Sequence, residues 1–307
     1  MMDELMTVTG PVQLDDLGII LPHEHIMSRF GADACRYPDY PLERLLEQVL
    51  PYLSKVKALG VTAIADCTTA FFGRHPELLK RISEASGVKM LTNTGYYSAR
   101  KARYVPAHAF EETSEQIAAR WIHEWDDSID ETGIRPGLIK ISVEAKPLTE
   151  IERRLIDAAI LTHLRTGLAI ETHTGDHALA AEYILDRLQQ AGAPAEAWVW
   201  VHAHALETVE PLLQAAGRGA WILLDGVAPE RAEHILAFLN ALKANGYLGQ
   251  VVLSHDGDSF TVDGSLRPYD YLLTGFVPRL RHEGYSQTEI DRLTIENPAR
   301  MLRVRYR

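Results

Sequence analysis

The segment Gly137-Leu-Ile-Lys-Ile-Ser142 has the apolar, β-branched composition of a buried β-strand, with a single charged residue, Lys140, in its middle. Four other strand-like segments end in side chains that bind metals. These ends are His23-Glu24-His25, Glu171-Thr172-His173, Trp200-Val201-His202 and Ser254-His255-Asp256. An ammonium has no lone pair and is a poor ligand, but a lysine that has taken up CO₂ is an anion with two oxygens. The segment therefore predicts a buried strand and, together with the other strand ends, a site that binds cations.

Eight short apolar runs recur along the chain. They are Gly18–His25, Val61–Thr69, Lys89–Tyr96, Gly137–Glu144, Leu168–Thr174, Ala197–His204, Trp221–Asp225 and Val251–Asp256. Strand–helix alternation repeated eight times predicts an α/β fold with a parallel sheet closed into a (β/α)₈ TIM barrel. Each candidate ligand lies at or near the C-terminal end of its run, which is where such barrels hold their active sites.

Segments with helical periodicity lie between the runs. They are Leu42–Leu59, Pro76–Ser86, Ala109–Asp127, Leu148–Arg165, His177–Ala191, Thr208–Ala216, Pro229–Ala244 and Pro268–Glu283. Pro51 is expected to kink or restart the first helix. Simple alternation would place the rings of Trp198 and Trp200 together inside the barrel. No linker or low-complexity stretch divides the chain, so we expect one domain over residues 1–307.

Composition narrows the class of protein. The 307 residues are 46% hydrophobic and carry a formal net charge of −11, which argues against nucleic acid or an anionic membrane as a partner. Cys35 and Cys67 form no disulfide framework, and the acidic N-terminus lacks the apolar run of a signal peptide. No stretch approaches the roughly 18 apolar residues of a membrane span. We expect a cytoplasmic enzyme that acts on a small molecule.

His23 and His25 are two residues apart on a strand, so both imidazoles point to the same side. Converging imidazoles suit Zn²⁺, Mn²⁺, Co²⁺ or Fe²⁺. The alternative is a pair of histidines hydrogen-bonded to loops, and Glu24 between them is expected to be a structural partner. Lys140 has three interpretations, which are a salt-bridged lysine, a Schiff-base nucleophile, and a carbamate that bridges two metals. The neighbouring ligands favour the bridge.

The remaining ligands come from later strands. His173 ends the fifth strand, and either His202 or His204 could serve at the sixth. We take His202 as the ligand and His204 as a residue behind it or facing substrate. Asp256 could bind one metal and accept a proton, or it could simply be a turn aspartate. His255 is expected to point elsewhere and to form hydrogen bonds.

These residues resemble the phosphotriesterase family of the amidohydrolase superfamily. The resemblance rests on motifs spread over nearly the whole chain. They are Thr9-Gly-Pro-Val12, Leu21-Pro-His-Glu-His25, Asp66-Cys-Thr68 with Gly73-Arg74, Thr94-Gly95, Ile139-Lys140, Glu171-Thr-His-Thr174, Val201-His202, Ser254-His-Asp256 and Glu296-Asn-Pro-Ala-Arg-Met-Leu302. It implies a binuclear site in which His23, His25 and Asp256 hold one metal and His173 and His202 the other. Carboxylated Lys140 and a hydroxide would bridge the two ions, most simply zinc, and a homodimer is expected.

The chain also departs from better-known branches of that family. Asp225 is followed by Gly226 where those branches carry arginine, and the segment between Asp256 and Pro268 is short. Both differences favour a small, polar substrate over an organophosphate or a long-chain lactone. Tyr97, Arg267, His204 and His255 are the predicted substrate-binding residues. Arg100, Lys101 and Arg103 are further cations on the expected mouth loops.

The sequence therefore predicts a metal-dependent hydrolase, with Asp256 and Lys140 as catalytic residues. Two metals would lower the pKa of a bridging water, and the resulting hydroxide would attack a lactone or another carboxylic ester, with phosphotriester cleavage as a weak side activity. Asp256 would accept the proton and pass it outward through His204 or His255. The alternatives are an amide hydrolase at the same site, a metal-free Schiff-base lyase or aldolase using Lys140, and a non-catalytic barrel that binds small molecules.

Overall fold

A computed structural model describes residues 4–305 of the chain, and parallel strands dominate it. In chain order the strands are β1 (Glu4–Thr7), β2 (Gly10–Gln13), β3 (Ile19–Glu24), β4 (Val61–Asp66), β5 (Lys89–Leu91), β6 (Asn93–Thr94), β7 (Leu138–Ser142), β8 (Ile170–His173), β9 (Trp198–Val201), β10 (Trp221–Leu224) and β11 (Val251–Leu253). Only Thr92 separates β5 from β6, so these two form a single strand of the barrel wall. All eight predicted strands are therefore present.

The wall closes into a barrel. One parallel sheet has the order β3-β4-β5 and the other has the order β6-β7-β8-β9-β10-β11. The last strand returns to the first through backbone hydrogen bonds from Asp256 N to His23 O (3.3 Å) and from His25 N to Gly257 O (2.8 Å). The predicted (β/α)₈ barrel is thus confirmed.

The carboxylate of Glu24 stabilises this closure by accepting hydrogen bonds from the last strand. It is fully buried, and its Oε1 accepts hydrogen bonds from Ser254 Oγ (2.8 Å), His255 N (3.1 Å) and His255 Nδ1 (2.7 Å), while Oε2 accepts from Gly257 N (2.6 Å). A single side chain of the first strand therefore satisfies four donors at the end of the eighth. The predicted structural role of Glu24 is confirmed.

Helices surround the barrel. In chain order they are α1 (Leu42–Ala58), α2 (Pro76–Ser86), α3 (His108–Glu111), α4 (Ser114–Asp126), α5 (Glu150–Thr166), α6 (Ala178–Gln190), α7 (Glu210–Arg218), α8 (Ala232–Ala244), α9 (Val277–His282), α10 (Gln287–Asp291) and α11 (Asn297–Leu302). The π-helical turns Leu272–Phe276 and Arg292–Glu296 lead into α9 and α11.

Two helix predictions need correction. The segment Ala109–Asp127 is not one helix, because Thr113 and Gln116 form a capping box that starts α4 afresh. Pro51 does not restart α1, which runs continuously through the proline with its ring exposed. A helix tolerates an interior proline when its other turns bury an apolar face, and Leu45, Val49 and Leu53 supply that face here.

The interior of the barrel is filled by small and large side chains in alternation. Ala63 and Ala65 on β4 leave room for the larger Leu138, Trp221 and Leu223. The end opposite the ligands is closed by Leu5 of the β1–β2 hairpin and by residues of α11, which pack into the same cluster. The site can therefore open only at the other end.

Trp198 and Trp200 point away from the barrel interior. They pack in the outer core between sheet and helices, while Val199 and Val201 point inward. The Nε1 groups donate to Thr172 Oγ1 (3.0 Å) and Gly175 O (2.9 Å). The expected crowding of the two indole rings does not occur, because the inward-facing residues of β9 are the valines.

Within residues 4–305, no helix is long and apolar enough to cross a membrane.

Gly95 allows the third strand to approach Lys140 closely. Its φ is +123°, and a Cβ built on it would overlap the Lys140 carbonyl oxygen. We predict that Gly95→Ala lowers the free energy of unfolding by about 3 kcal/mol or more, because steric overlap adds to backbone strain. Gly133→Ala is the control, since its φ is also positive (+74°) but its Cβ would meet open space. Equal losses in thermal-denaturation measurements on the two variants would contradict the prediction.

Glu24→Ala leaves four buried or partly buried donors without their acceptor. We predict a loss of about 3 kcal/mol or more in stability, measured by thermal or urea denaturation. The control is Glu84→Ala, an exposed glutamate on α2, with an expected change within about 0.5 kcal/mol. A Glu24 variant as stable as the Glu84 variant would show that the closure does not depend on this carboxylate.

Candidate metal centre

The six predicted metal ligands line one cavity of about 420 Å³ at the C-terminal end of the barrel strands. They are His23, His25, Lys140, His173, His202 and Asp256. Five different strands contribute them, and the cavity opens to solvent at the barrel mouth. The structure thus brings together the side chains that the sequence marked as candidates.

Asp256 faces both histidines of the first strand. Its Oδ1 lies 3.4 Å from His23 Nε2 and 3.3 Å from His25 Nε2. Burial tends to raise the pKa of Asp256, but the hydrogen bonds from His23 and His25 and the nearby His202 outweigh burial and hold it well below the usual range. The carboxylate is therefore ionised at neutral pH.

His202 and Asp256 both have left-handed backbone conformations, with φ of 59° and 57°. Such values are uncommon outside glycine and concentrate at functional sites. His202 follows the inward-facing Val201 and would point outward on a regular strand, and the left-handed turn redirects it into the cavity. One ligand atom from each of His23, His202 and Asp256 lies within 4.8 Å of the others.

His173 completes the imidazole set on the side of the fifth strand. Its ring centroid is 4.3 Å from that of His202. Burial, together with His202 and Lys140, lowers the pKa of His173 well below its ordinary value, so the imidazole is neutral. A neutral imidazole is the form that binds metals.

All four imidazoles have a polar partner beside Nδ1, and for three of them that partner lies within 3 Å. His23 Nδ1 lies 2.8 Å from Glu171 Oε2, His25 Nδ1 lies 2.8 Å from Thr68 Oγ1, and His202 Nδ1 lies 2.9 Å from Asp225 Oδ2. In each case Nε2 is left for the cavity. This arrangement is typical of metal-binding histidines, whose second nitrogen donates to a carboxylate or hydroxyl.

Lys140 is 2% exposed, and its Nζ has no hydrogen-bond partner among residues 4–305. The nearest carboxylate oxygen, Glu171 Oε2, is 3.9 Å away and is already bonded to His23. Burial, followed by the charge of Glu171, raises the pKa of the neighbouring Cys67 thiol to about 12, so Cys67 supplies no charge. A buried ammonium with so little compensation is costly, which favours a modified or metal-associated lysine.

His204 and His255, which we predicted to contact substrate, both lie behind the cavity wall. His255 Nδ1 donates to Glu24 and its Nε2 accepts from Leu272 N (2.9 Å), so both nitrogens are used in structural bonds. His204 Nδ1 lies 3.3 Å from Asp225 Oδ1. A Cβ on Gly226 would overlap the His204 ring, so this imidazole fills the space beside the glycine. The assignment of His204 and His255 to substrate contacts is corrected.

Tyr97 and Arg267 do line the cavity. The Tyr97 ring stacks on Phe72 with centroids 5.1 Å apart, and its hydroxyl is 3.3 Å from His173 Nδ1. Burial raises the pKa of Tyr97, so the hydroxyl keeps its proton. Arg267 Nη1 is 3.9 Å from Asp256 Oδ2 and Nη2 is 3.8 Å from Asp258 Oδ2.

The rim beside Tyr97 is a left-handed turn. Arg100, Lys101 and Ala102 have consecutive φ values of 61°, 59° and 56°, each costing roughly 1–2 kcal/mol for a residue with a Cβ. Of the cations on this turn, Arg100 lines the cavity, whereas Arg103 pairs with Asp33 (2.8 Å).

Several residues of the site were not identified from the sequence. Glu171 and Thr68 orient histidines, Asp225 orients His202, and Phe72 and Phe30 form an apolar wall. Glu171 carried a usable signal, because it is two residues before His173 and so shares its face of the strand. The two phenylalanines lie in loops, where no sequence periodicity indicates which way a side chain points.

Comparison with known proteins identifies the family of this chain and several relatives. The phosphotriesterase family model matches residues 3–302. The phosphotriesterase homology protein of Escherichia coli K12 is 27% identical over 94% of this chain and 99% of its own length. An N-acetyltaurine hydrolase of Xenopus tropicalis is 25% identical over 97% of both chains.

A mutant of the organophosphorus hydrolase from Deinococcus radiodurans has a similar solved structure, with a TM-score of 0.86, 25% identity and 97% of both chains covered. The family match spans nearly the whole sequence, and the relatives named above cover 94% to 97% of it. The chain is therefore a hydrolase and belongs to the phosphotriesterase family.

Proposed function

We propose that this protein is a binuclear-metal-dependent hydrolase that cleaves small, polar lactones or other carboxylic esters. The observation that carries the proposal is the convergence of six potential ligands in one cavity around a buried lysine amine that has no hydrogen-bond partner in the described chain. The hydrolase relatives favour this function over the Schiff-base lyase and over the non-catalytic barrel.

The residues present fit two divalent ions. His23, His25 and Asp256 would hold one, and His173 and His202 would hold the other. Lys140 would contribute to both after its neutral amine adds CO₂ and releases a proton, which gives an anionic carbamate. Bound ions would polarise a carbonyl oxygen and lower the pKa of water.

The chain's own groups have distinct tasks in this proposal. Asp256 is ionised, partly exposed and on the cavity face, so it is placed to accept a proton from the attacking water. Tyr97 keeps its proton and can donate a hydrogen bond to a substrate oxygen. Asp225, Glu171 and Thr68 hold the imidazoles in the orientation that leaves Nε2 free. Proton release to solvent would follow the open mouth, because His255 is fully committed elsewhere.

The shape of the cavity supports a small substrate. Its volume of about 420 Å³ is at the lower end of ligand sites, and its wall combines Phe30, Phe72 and Tyr97 with the charged Arg100 and Arg267. Aromatic rings on one side and cations at the rim suit a compact molecule with a polar end. A bulky phosphotriester would be a poor fit and a weak side substrate.

An amide is the second candidate for the scissile bond. The relative from Xenopus tropicalis is named for hydrolysis of an N-acetyl compound, and it aligns with 97% of this chain. The same carboxylate and imidazole set would serve either bond, because both reactions place negative charge on a carbonyl oxygen. Parallel assays of matched acetyl esters and acetyl amides distinguish the two.

Metal content tests the proposal directly. We expect about two transition-metal ions per chain after expression in metal-supplemented medium, measured by plasma mass spectrometry. Removal by a chelator should abolish hydrolysis, and Zn²⁺, Mn²⁺ or Co²⁺ should restore it. Fewer than one ion per chain, or full activity in the chelated protein, would refute metal dependence.

Lys140→Ala should lose bound metal and lower kcat by more than about a hundredfold, because it removes a shared ligand. Added propanoate should restore part of both, since a small carboxylate can occupy the space of the carbamate. The control is Lys146→Ala, an exposed lysine paired with Asp176, which should keep metal and activity. A Lys140 variant that keeps both metals would rule out the bridging role.

A further inference from the structure

Arg100 is placed differently from the other cations at the mouth. Its guanidinium lies over the Phe30 ring, 4.9 Å from the centroid, and the residue lines the cavity. Within residues 4–305, no carboxylate is within ion-pair distance of this group. A cation above an aromatic ring is attracted to the ring's π electrons without using a carboxylate partner, so the N–H donors of the guanidinium stay available for another group.

The neighbouring cations are either neutralised or directed away. Arg267 stands between Asp256 and Asp258, with nitrogen–oxygen distances of 3.9 and 3.8 Å. Arg103 is paired with Asp33, and Lys101 does not line the cavity. Of the two arginines that line the cavity, Arg100 is therefore the one without a carboxylate within ion-pair distance of its guanidinium.

The backbone around Arg100 fixes this position. Arg100 opens the left-handed turn, and its N–H donates to Glu144 Oε2 (2.8 Å) across the rim. Ala102 N donates back to Ser98 O (2.8 Å), which closes the turn. Three consecutive residues in an unfavourable conformation persist only where their surroundings hold them, and such strain clusters at ligand-binding sites.

The aromatic wall connects Arg100 to the candidate metal ligands. Phe30 contacts Phe72 edge-on with ring centroids 5.9 Å apart, and Phe72 contacts His25 at 5.8 Å. Tyr97 stacks on the same Phe72 ring. A molecule lying along this wall would have one end beside His25 and the other beside the guanidinium of Arg100.

We propose that Arg100 binds an anionic group of the substrate, so that the natural substrates are small carbonyl compounds carrying a carboxylate or sulfonate away from the scissile bond. This inference rests on the proposed hydrolase function and specifies its substrate class. Glu144, whose carboxylate accepts from the Arg100 N–H, is the opposing charge on the same rim and sets a limit on the affinity for anions.

The kinetic test uses the metal-loaded protein and two esters that differ only in charge, 3-acetoxypropanoate and the neutral 3-acetoxypropanamide. Arg100→Met should raise KM for the anionic ester roughly tenfold, which is the expected loss of one partly exposed charge-assisted contact. Its kcat, and both constants for the neutral ester, should stay within about twofold on the same reasoning. Arg100→Lys should recover part of the loss.

The matched control is Lys101→Met, which removes the same charge from the same left-handed turn at a residue outside the cavity lining. Its kcat and KM for both esters should equal those of the unmodified protein. Glu144→Gln should lower KM for the anionic ester, because it removes the opposing charge. Equal effects of Arg100→Met on both esters, a matching effect of Lys101→Met, or a raised KM in Glu144→Gln would overturn the proposal.

A binding measurement separates this inference from the hydrolase proposal. Propane-1-sulfonate and propanoate, titrated calorimetrically into the metal-loaded protein, require no turnover. If neither ester is hydrolysed, the ester-hydrolase proposal fails, yet weaker binding of both anions to Arg100→Met than to Lys101→Met would still support the anion site. A loss confined to one anion would assign the site to that carboxylate or sulfonate. Equal affinity of the Arg100→Met and Lys101→Met variants for both anions would refute the anion site.

Discussion

The assembly of the site depends on the four hydrogen bonds that Glu24 accepts from the end of the eighth strand. Glu24 lies between His23 and His25, so the residue that closes the barrel is also the one that separates two candidate ligands. Its bonds to Ser254, His255 and Gly257 bracket Asp256 and bring that carboxylate within 3.4 Å of both imidazoles. Barrel closure and the approach of these candidate ligands therefore depend on the same hydrogen bonds between the first and last strands.

The sequence predicted the barrel and the convergence of the six candidate ligands at one end of it, because both depend on local patterns. Apolar runs separated by amphipathic helices recur eight times, and polar residues at the ends of buried strands are informative wherever they occur. Side-chain direction was harder to predict. The left-handed backbone at His202 reverses the order of inward and outward residues, so counting backward from that ligand placed Trp198 and Trp200 on the wrong face.

The surroundings of the ligands were the part least visible in the sequence. His255 and His204 looked suited to substrate contact because they adjoin ligands, but hydrogen bonds to Glu24 and proximity to Asp225 draw them behind the wall. Phe30, Phe72 and Arg100 lie in loops. The course of the loops through space brings them together, and no periodicity in the sequence indicates this. Loops are the part of a shared scaffold in which proteins of different function differ most.

The contact between His204 and Gly226 has an evolutionary consequence. The imidazole occupies the volume that any side chain at position 226 would need, so the two positions cannot both be large. An arginine at position 226 would therefore require the His204 ring to turn aside or a smaller residue to replace it. We therefore expect the residues at positions 204 and 226 to be constrained together, since a change at either one alters the packing beside Asp225.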